Sequence, residues 1–160
     1  MFSLLKLVGL KLVALVLVLS TLGAAGVWAV DTEETPAEST ANPNYVAGKA
    51  AVDAKNWKGA IRSLTQAVAQ DGANADVQNL LGYAYRNAGQ FKEAFAHYKE
   101  ALRLDPRHRG AHEYIGEAYL LTNDLKSARE HLAALGRLCV FPCEEYTDLK
   151  KSVEAYLKKP

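Results

Sequence analysis

The sequence has few of the residues that carry cross-links and covalent chemistry. Its 160 residues include two cysteines and one methionine, the initiator. Two cysteines exclude a small disulfide-rich scaffold. The 11 glycines are spread along the chain and form no phosphate-binding loop, and no nucleophile–base pattern or haem-attachment motif occurs. We therefore predict a protein that is not an enzyme and needs no cofactor.

The chain also lacks an excess of charge of either sign. Its formal net charge is +1, and without Lys6 and Lys11, which precede the first apolar run, 17 basic residues face 18 acidic ones. A nearly neutral domain has no basic field for nucleic acid and does not adhere broadly to anionic membranes. Nucleic acid is therefore excluded as a partner.

The N-terminal segment is the one long hydrophobic run. Lys6 and Lys11 precede 19 uncharged residues, Leu12–Val30. A basic start, an apolar stretch and small residues near a cleavage point are typical of a secretory signal peptide, here residues 1–29 with cleavage after Ala29, or alternatively after Ala25. The run is also about 28 Å long as a helix, enough for an uncleaved membrane anchor.

Both interpretations of the N-terminal segment export the rest of the chain. The lysines lie on one side of the apolar run, and acidic residues follow it, which by the positive-inside rule places the C-terminal part outside the cytoplasm. We expect a periplasmic or otherwise exported protein, with inner-membrane anchoring as the alternative. Residues 30–41 are acidic and rich in Thr, Ser and Pro, so we expect a disordered linker.

A period of 34 residues organises the remaining chain. Small residues recur at this spacing in two series, first Gly48, Gly82 and Gly116, and then Ala60, Ala94 and Ala128. Within each period, apolar residues at helical spacing form two patterns joined by a short turn. The sequence therefore predicts three helix–turn–helix repeats, at residues 42–73, 75–106 and 109–140, in an all-α solenoid.

The second repeat carries a specific set of packing residues: Leu81, Gly82, Tyr85, Ala94, Tyr98, Ala101 and Pro106. This pattern resembles the tetratricopeptide repeat family over about residues 41–140. The early tryptophan of that family is replaced by Asn44, Gln78 and His112, and the third repeat has Val140 where the family has proline. Terminal repeats are often atypical, so the resemblance still implies the family's solenoid fold.

The resemblance also implies a function and a set of site residues. In this family the first helix of each repeat lines a concave groove that receives peptides. Carried over by repeat position, the residues expected to bind a partner are Tyr45, Lys49, Asn79, Tyr83, Arg86, Glu113 and Glu117. We therefore expect a non-catalytic scaffold that binds a protein or peptide of the cell envelope. Self-assembly through the open face of the first helix is an alternative.

Residues 141–160 are predicted to form a capping helix, with Tyr146, Leu149 and Val153 on its apolar face. We expect it to lie on the last helix of the third repeat. Cys139 and Cys143 precede it at a turn marked by Pro142. An exported protein favours a disulfide that joins cap to repeat, while a copper or thiol-redox pair and two free thiols stay open as alternatives.

Histidines give a weaker signal. His108 and His112 are four residues apart, a spacing that can hold zinc on a helix, but no third ligand is apparent. We interpret them as a partly exposed pair near a helix N-terminus. His97 and His131 are expected to be isolated, and no metal site is predicted.

Overall fold

The computed structural model describes residues 42–159, which form seven α-helices and no strands. The predicted signal peptide or anchor at 1–29 and most of the predicted linker at 30–41 lie outside the described residues, as does Pro160. The all-α solenoid is confirmed. No helix within residues 42–159 has the length and apolar character needed to cross a bilayer. The helices are α1 Pro43–Asp53, α2 Trp57–Gln70, α3 Ala75–Asn87, α4 Phe91–Leu104, α5 Arg109–Leu121, α6 Leu125–Leu138 and α7 Glu144–Leu157.

Polar side chains begin most of these helices. The Asn42, Asn56, Asn74 and Asp124 side chains accept hydrogen bonds from backbone N–H groups in the first turns of α1, α2, α3 and α6. Each cap of this kind stabilises a helix by about 1 kcal/mol. The helix boundaries are therefore written locally in the sequence.

The turn inside each repeat uses one backbone position with a positive φ. Lys55, Gly89 and Asn123 are 34 residues apart and have φ of 55°, 76° and 62°. Glycine adopts this conformation without strain, asparagine tolerates it, and lysine pays a steric cost. The repeats thus share one turn geometry even where the residue is unsuited to it.

The helices form two layers. Adjacent helices pack along the chain, and in addition α1 contacts α3 and α3 contacts α5, whereas α2 and α4, or α4 and α6, do not contact each other. First helices are therefore closer together than second helices, and the array curves. We call the side of α1, α3 and α5 at the centre of this curve the inner face.

The recurring glycines permit close approach. A Cβ atom on Gly48 would lie 2.5 Å from the Leu64 side chain, and one on Gly82 would lie 2.7 Å from the Tyr98 ring. Both neighbours come from the second helix of the same repeat, 16 residues on. Bulkier residues at these glycines would force the two helices of a repeat apart.

The third repeat closes differently. The side chain that covers Gly116 is Leu149 of α7, 2.6 Å from where a Cβ would be. The expectation that the cap lies on α6 was therefore incomplete, because α7 packs against both α5 and α6. Leu149 is completely buried together with Leu135. The cap thus occupies the place that the first helix of a fourth repeat would take.

Candidate partner-binding groove

The seven residues expected to bind a partner lie on α1, α3 and α5, but they do not form one site. Asn79 and Glu113 line one cavity of the inner face, and Arg86 and Glu117 line another. Tyr45 lines a third, small cavity between α1 and α3. Lys49 is 60% exposed and forms an ion pair with Asp53 one turn away on α1.

Arg86 is engaged within the protein. Its guanidinium group forms an ion pair with Glu117 and also donates to the backbone oxygen of Tyr114 at 3.4 Å. It lies 5.0 Å from the ring centre of Tyr83 and 5.3 Å from that of Tyr114, within range of cation–π attraction. Its side chain is only 9% exposed. Arg86 therefore links α3 to α5 rather than presenting a cation to a ligand.

Tyr83 belongs to an aromatic row that crosses the repeats. Its ring centre is 6.1 Å from that of Trp57 and 4.8 Å from that of Tyr114. Trp57 lies at the start of α2, and Tyr114 lies on α5, so the row connects all three repeats. Such contacts stabilise beyond the area they bury, and they fix the Tyr83 ring.

An acidic cavity of about 350 Å³ lies where α3, α5 and α7 meet. Its carboxylates come from Glu113 on α5 and from Glu144, Glu145 and Asp148 on α7, and we call it the acidic cavity. The other lining residues are Asn79, Gly110 and Tyr114. Arg109 forms an ion pair with Glu145 at 3.4 Å, and Lys151 forms one with Asp148 at 2.9 Å. None of the described basic residues forms an ion pair with Glu113 or Glu144.

Glu113 is the most perturbed carboxyl of this cavity. Burial, followed by the charges of Glu117, Asp148 and Glu145, raises the pKa of Glu113 to about 7, against a smaller lowering by Arg86. Tyr114 beside it is affected in the same way, since burial and then Glu113 raise its pKa to about 12. The cavity therefore disfavours further negative charge and would be relieved by a cation.

Asn79 sits at the base of the acidic cavity. It is 8% exposed, and its side-chain oxygen is buried without a hydrogen-bond partner among the described residues. Leaving a buried amide oxygen unsatisfied costs about 1–3 kcal/mol. Gly110 allows this amide to approach α5, because a Cβ there would lie 3.4 Å from the Asn79 nitrogen.

A second cavity, of about 360 Å³, lies near the C-terminal ends of α3, α5 and α7. Its polar edge carries Arg86 and Glu117, with the Ser152 hydroxyl donating to Glu117 at 3.3 Å. Leu120 and Leu121 add apolar surface. The Arg86–Glu117 pair therefore faces this cavity, while Glu113 faces the acidic one.

The histidine expectations need correction. His131 is not isolated, because its Nδ1 lies 2.9 Å from Nδ1 of His112 and its ring stacks on Tyr119. His97 stacks on Tyr85 and contacts Gln78. His108 does not join His112: its Nδ1 accepts from the backbone N–H of Ala111, so its Nε2 carries the proton and donates to Asp76 at 3.0 Å. Over residues 42–159, no three His, Cys, Asp or Glu side chains are arranged to hold a metal.

The two cysteines flank the turn between α6 and α7. Cys139 follows the last residue of α6, Cys143 precedes the first of α7, and the structure pairs them as a disulfide with Cα atoms 5.8 Å apart. That separation suits a disulfide. The oxidised state stays a prediction.

Sequence reasoning missed the contribution of α7. Glu144 and Asp148 are four residues apart and share one helix face, which was a visible signal. Their meeting with Glu113 was not visible, because it depends on how α7 packs. Trp57 and Tyr114 were also missed as neighbours of Tyr83, since no fixed spacing links their positions.

The comparisons with known proteins agree with the fold. Two family models described as tetratricopeptide repeat match residues 45–108 and 85–138. The human anaphase-promoting complex subunit 7 is 31% identical over 88 residues, which are 55% of this chain and 16% of that protein. The chain thus spans about a sixth of the length of this curated relative.

Solved structures give the same result. MamA (residues 41 to the end) from Desulfovibrio magneticus is 29% identical, with a TM-score of 0.58 over 59% of this chain and 54% of that one. The second TPR domain of human RPAP3, determined with the HSP70 peptide SGPTIEEVD, is 24% identical, with a TM-score of 0.63 over 71% of this chain and 95% of that one. The two family models together span more than half of this sequence. The chain therefore belongs to the tetratricopeptide repeat family.

Proposed function

We propose that this protein is a non-catalytic adaptor of the cell envelope that holds an extended peptide segment of a partner protein against its inner face. The observation that carries the proposal is the acidic cavity, a recess lined by residues of α3, α5 and α7. At about 350 Å³ it is at the small end of ligand sites in proteins. It fits one or two residues of a peptide rather than a folded domain.

The comparisons support peptide binding as a mode of action. The similar TPR domain of human RPAP3 is in complex with an HSP70 peptide. Because helices of adjacent repeats curve around one side, an array of this fold offers a continuous concave surface. We extend the mode of binding to this chain, and not the identity of the peptide.

The place of action rests on the N-terminal sequence. The basic start and apolar run favour export, and a paired Cys139 and Cys143 suit an oxidising compartment. We propose the periplasm or the outer surface of the inner membrane. Fractionation of native cells, with a cytoplasmic enzyme as a marker, tests this part separately.

Site-specific photo-crosslinking in native cells tests the groove. A photo-crosslinking residue replaces Lys49, exposed on α1 of the inner face, and in a matched protein it replaces Lys99, exposed on α4 of the outer layer. We expect a discrete partner adduct from position 49 and none from position 99. Light scattering of the purified full chain shows whether an adduct comes from self-assembly. Equal adducts from both positions would refute the groove.

A further inference from the structure

We infer that the acidic cavity binds the cationic side chain of a lysine or arginine in the partner peptide, while Asn79 binds the peptide backbone beside it. This inference rests on the proposed function and names its class of partner. It makes the protein a reader of basic segments.

The charge balance of the cavity is the first step. Four carboxylates line it, and the described ion pairs supply two cations, Arg109 at Glu145 and Lys151 at Asp148. Arg86 is committed to Glu117 and borders the other cavity. The acidic cavity therefore keeps an excess of negative charge next to a partly buried surface, where one added cation interacts more strongly than in water.

Asn79 is the second step and is independent of charge. It is 92% buried, lines the cavity, and makes no side-chain hydrogen bond that satisfies its oxygen within residues 42–159. A side-chain amide offers one acceptor and two donors, which match the N–H and C=O of a peptide group. Rotation about its last torsion turns either end toward the cavity. The unsatisfied amide indicates that a polar ligand completes this site.

The identity of the cation is the third step. The carboxylates are not arranged to hold a metal ion, since no such group occurs in the described part of the chain. An ammonium or guanidinium group can instead be shared by carboxylates on two helices, because it donates in several directions. The raised pKa of Glu113 agrees with this, since a cation would favour its charged form.

Acidic peptides are disfavoured by the same residues. Lys49 is paired with Asp53 and Arg86 with Glu117, so neither offers an uncommitted cation on the inner face. The peptide SGPTIEEVD of the similar RPAP3 domain carries three acidic side chains. Such a peptide would bring negative charge toward Glu113 and Asp148, which is repulsive.

Peptide pools on the purified full-length protein test the inference. Each pool has degenerate flanks and one fixed central residue, which is Lys, Arg, norleucine or Glu. We expect the Lys and Arg pools to bind about tenfold better than the norleucine pool, and the Glu pool to bind worst. For Glu113→Gln with Asp148→Asn, we expect the preference for Lys and Arg to fall to less than twofold.

The matched control is Glu130→Gln with Glu154→Gln, which removes the same charge from exposed positions on α6 and α7 away from the cavity. It should keep the preference, and circular dichroism should show all proteins folded. If pools bind the wild type without preference, or if the control loses the preference equally, the cation site is refuted and peptide binding stands. If no pool binds and Lys49 gives no crosslinked partner, the proposed function falls with it.

Discussion

The guanidinium group of Arg86 on α3 is ion-paired with the carboxylate of Glu117 on α5, one repeat further along the chain. Both had been expected to contact a partner. Their side chains are 9% and 25% exposed, and the Tyr83 and Tyr114 rings surround the arginine. The pair therefore ties the second repeat to the third, and a groove variant that removes Arg86 would change folding as well as binding.

Replacing Arg86 by Met should lower the free energy of unfolding by about 3 kcal/mol, because it leaves the Glu117 carboxylate without its cation. Lys49→Met is the matched control, since its pair with Asp53 is exposed and should contribute less than about 0.5 kcal/mol. Urea unfolding measures both. Equal losses would show that the Arg86–Glu117 pair contributes no more than a surface pair.

Lys55→Gly should stabilise the protein by about 0.5–1 kcal/mol, because Lys55 has a positive φ that glycine adopts without strain. The first repeat would then have the turn residue of the second, Gly89. Asn123→Gly should give a smaller gain, since asparagine tolerates this conformation. Thermal unfolding compares the two variants, and a lower melting temperature for Lys55→Gly would contradict the turn argument.

Glu113→Gln should raise the melting temperature at pH 8 but have little effect at pH 4. The pKa of Glu113 is about 7 in the fold, above its ordinary value of 4.5. Between these values the folded state holds more protons than the unfolded state, so this group's stabilisation is complete below pH 4.5 and is lost as the pH rises through 7. Glu130→Gln is the exposed control. A gain at pH 8 no larger than that of this control would refute the perturbed environment of Glu113.

His131→Phe should make the protein more resistant to mild acid. Burial, and then the neighbouring His112, lowers the pKa of His131 to about 4, below the ordinary value of 6.5. The unfolded state therefore binds more protons between pH 6.5 and 4, and stability falls as the pH falls through this window. Phenylalanine keeps a ring beside Tyr119 and does not titrate. Melting curves at pH 7 and pH 4.5 should show a smaller decrease for the variant than for the wild type.

Reduction, or Cys139→Ser with Cys143→Ser, should lower the free energy of unfolding by about 2 kcal/mol, since the closed loop is short. The loss should appear as earlier detachment of α7. A thiol count on protein isolated from native cells should find no free thiols and no bound metal. Bound copper would instead favour a metal-handling role for the pair, and two reactive thiols would refute the disulfide.

Much of the fold was readable from the sequence because its determinants are local. The period of 34, the caps at Asn42 and Asn74, and the small residues at Gly48 and Gly82 each act within one repeat. A repeat array is close to a one-dimensional structure, so local rules carry most of its architecture. The cap was recognised from its amphipathic pattern in the same way.

The site was only partly readable, for a physical reason. The sequence by itself determined which residues lie on first helices, including Asn79, Arg86 and Glu113. Only the tertiary structure decided that Arg86 is consumed by Glu117, that Leu149 covers Gly116, and that α7 brings carboxylates beside Glu113. These contacts join side chains about 30 or more residues apart, and no periodicity encodes them, because they depend on how α7 settles against α5 and α6.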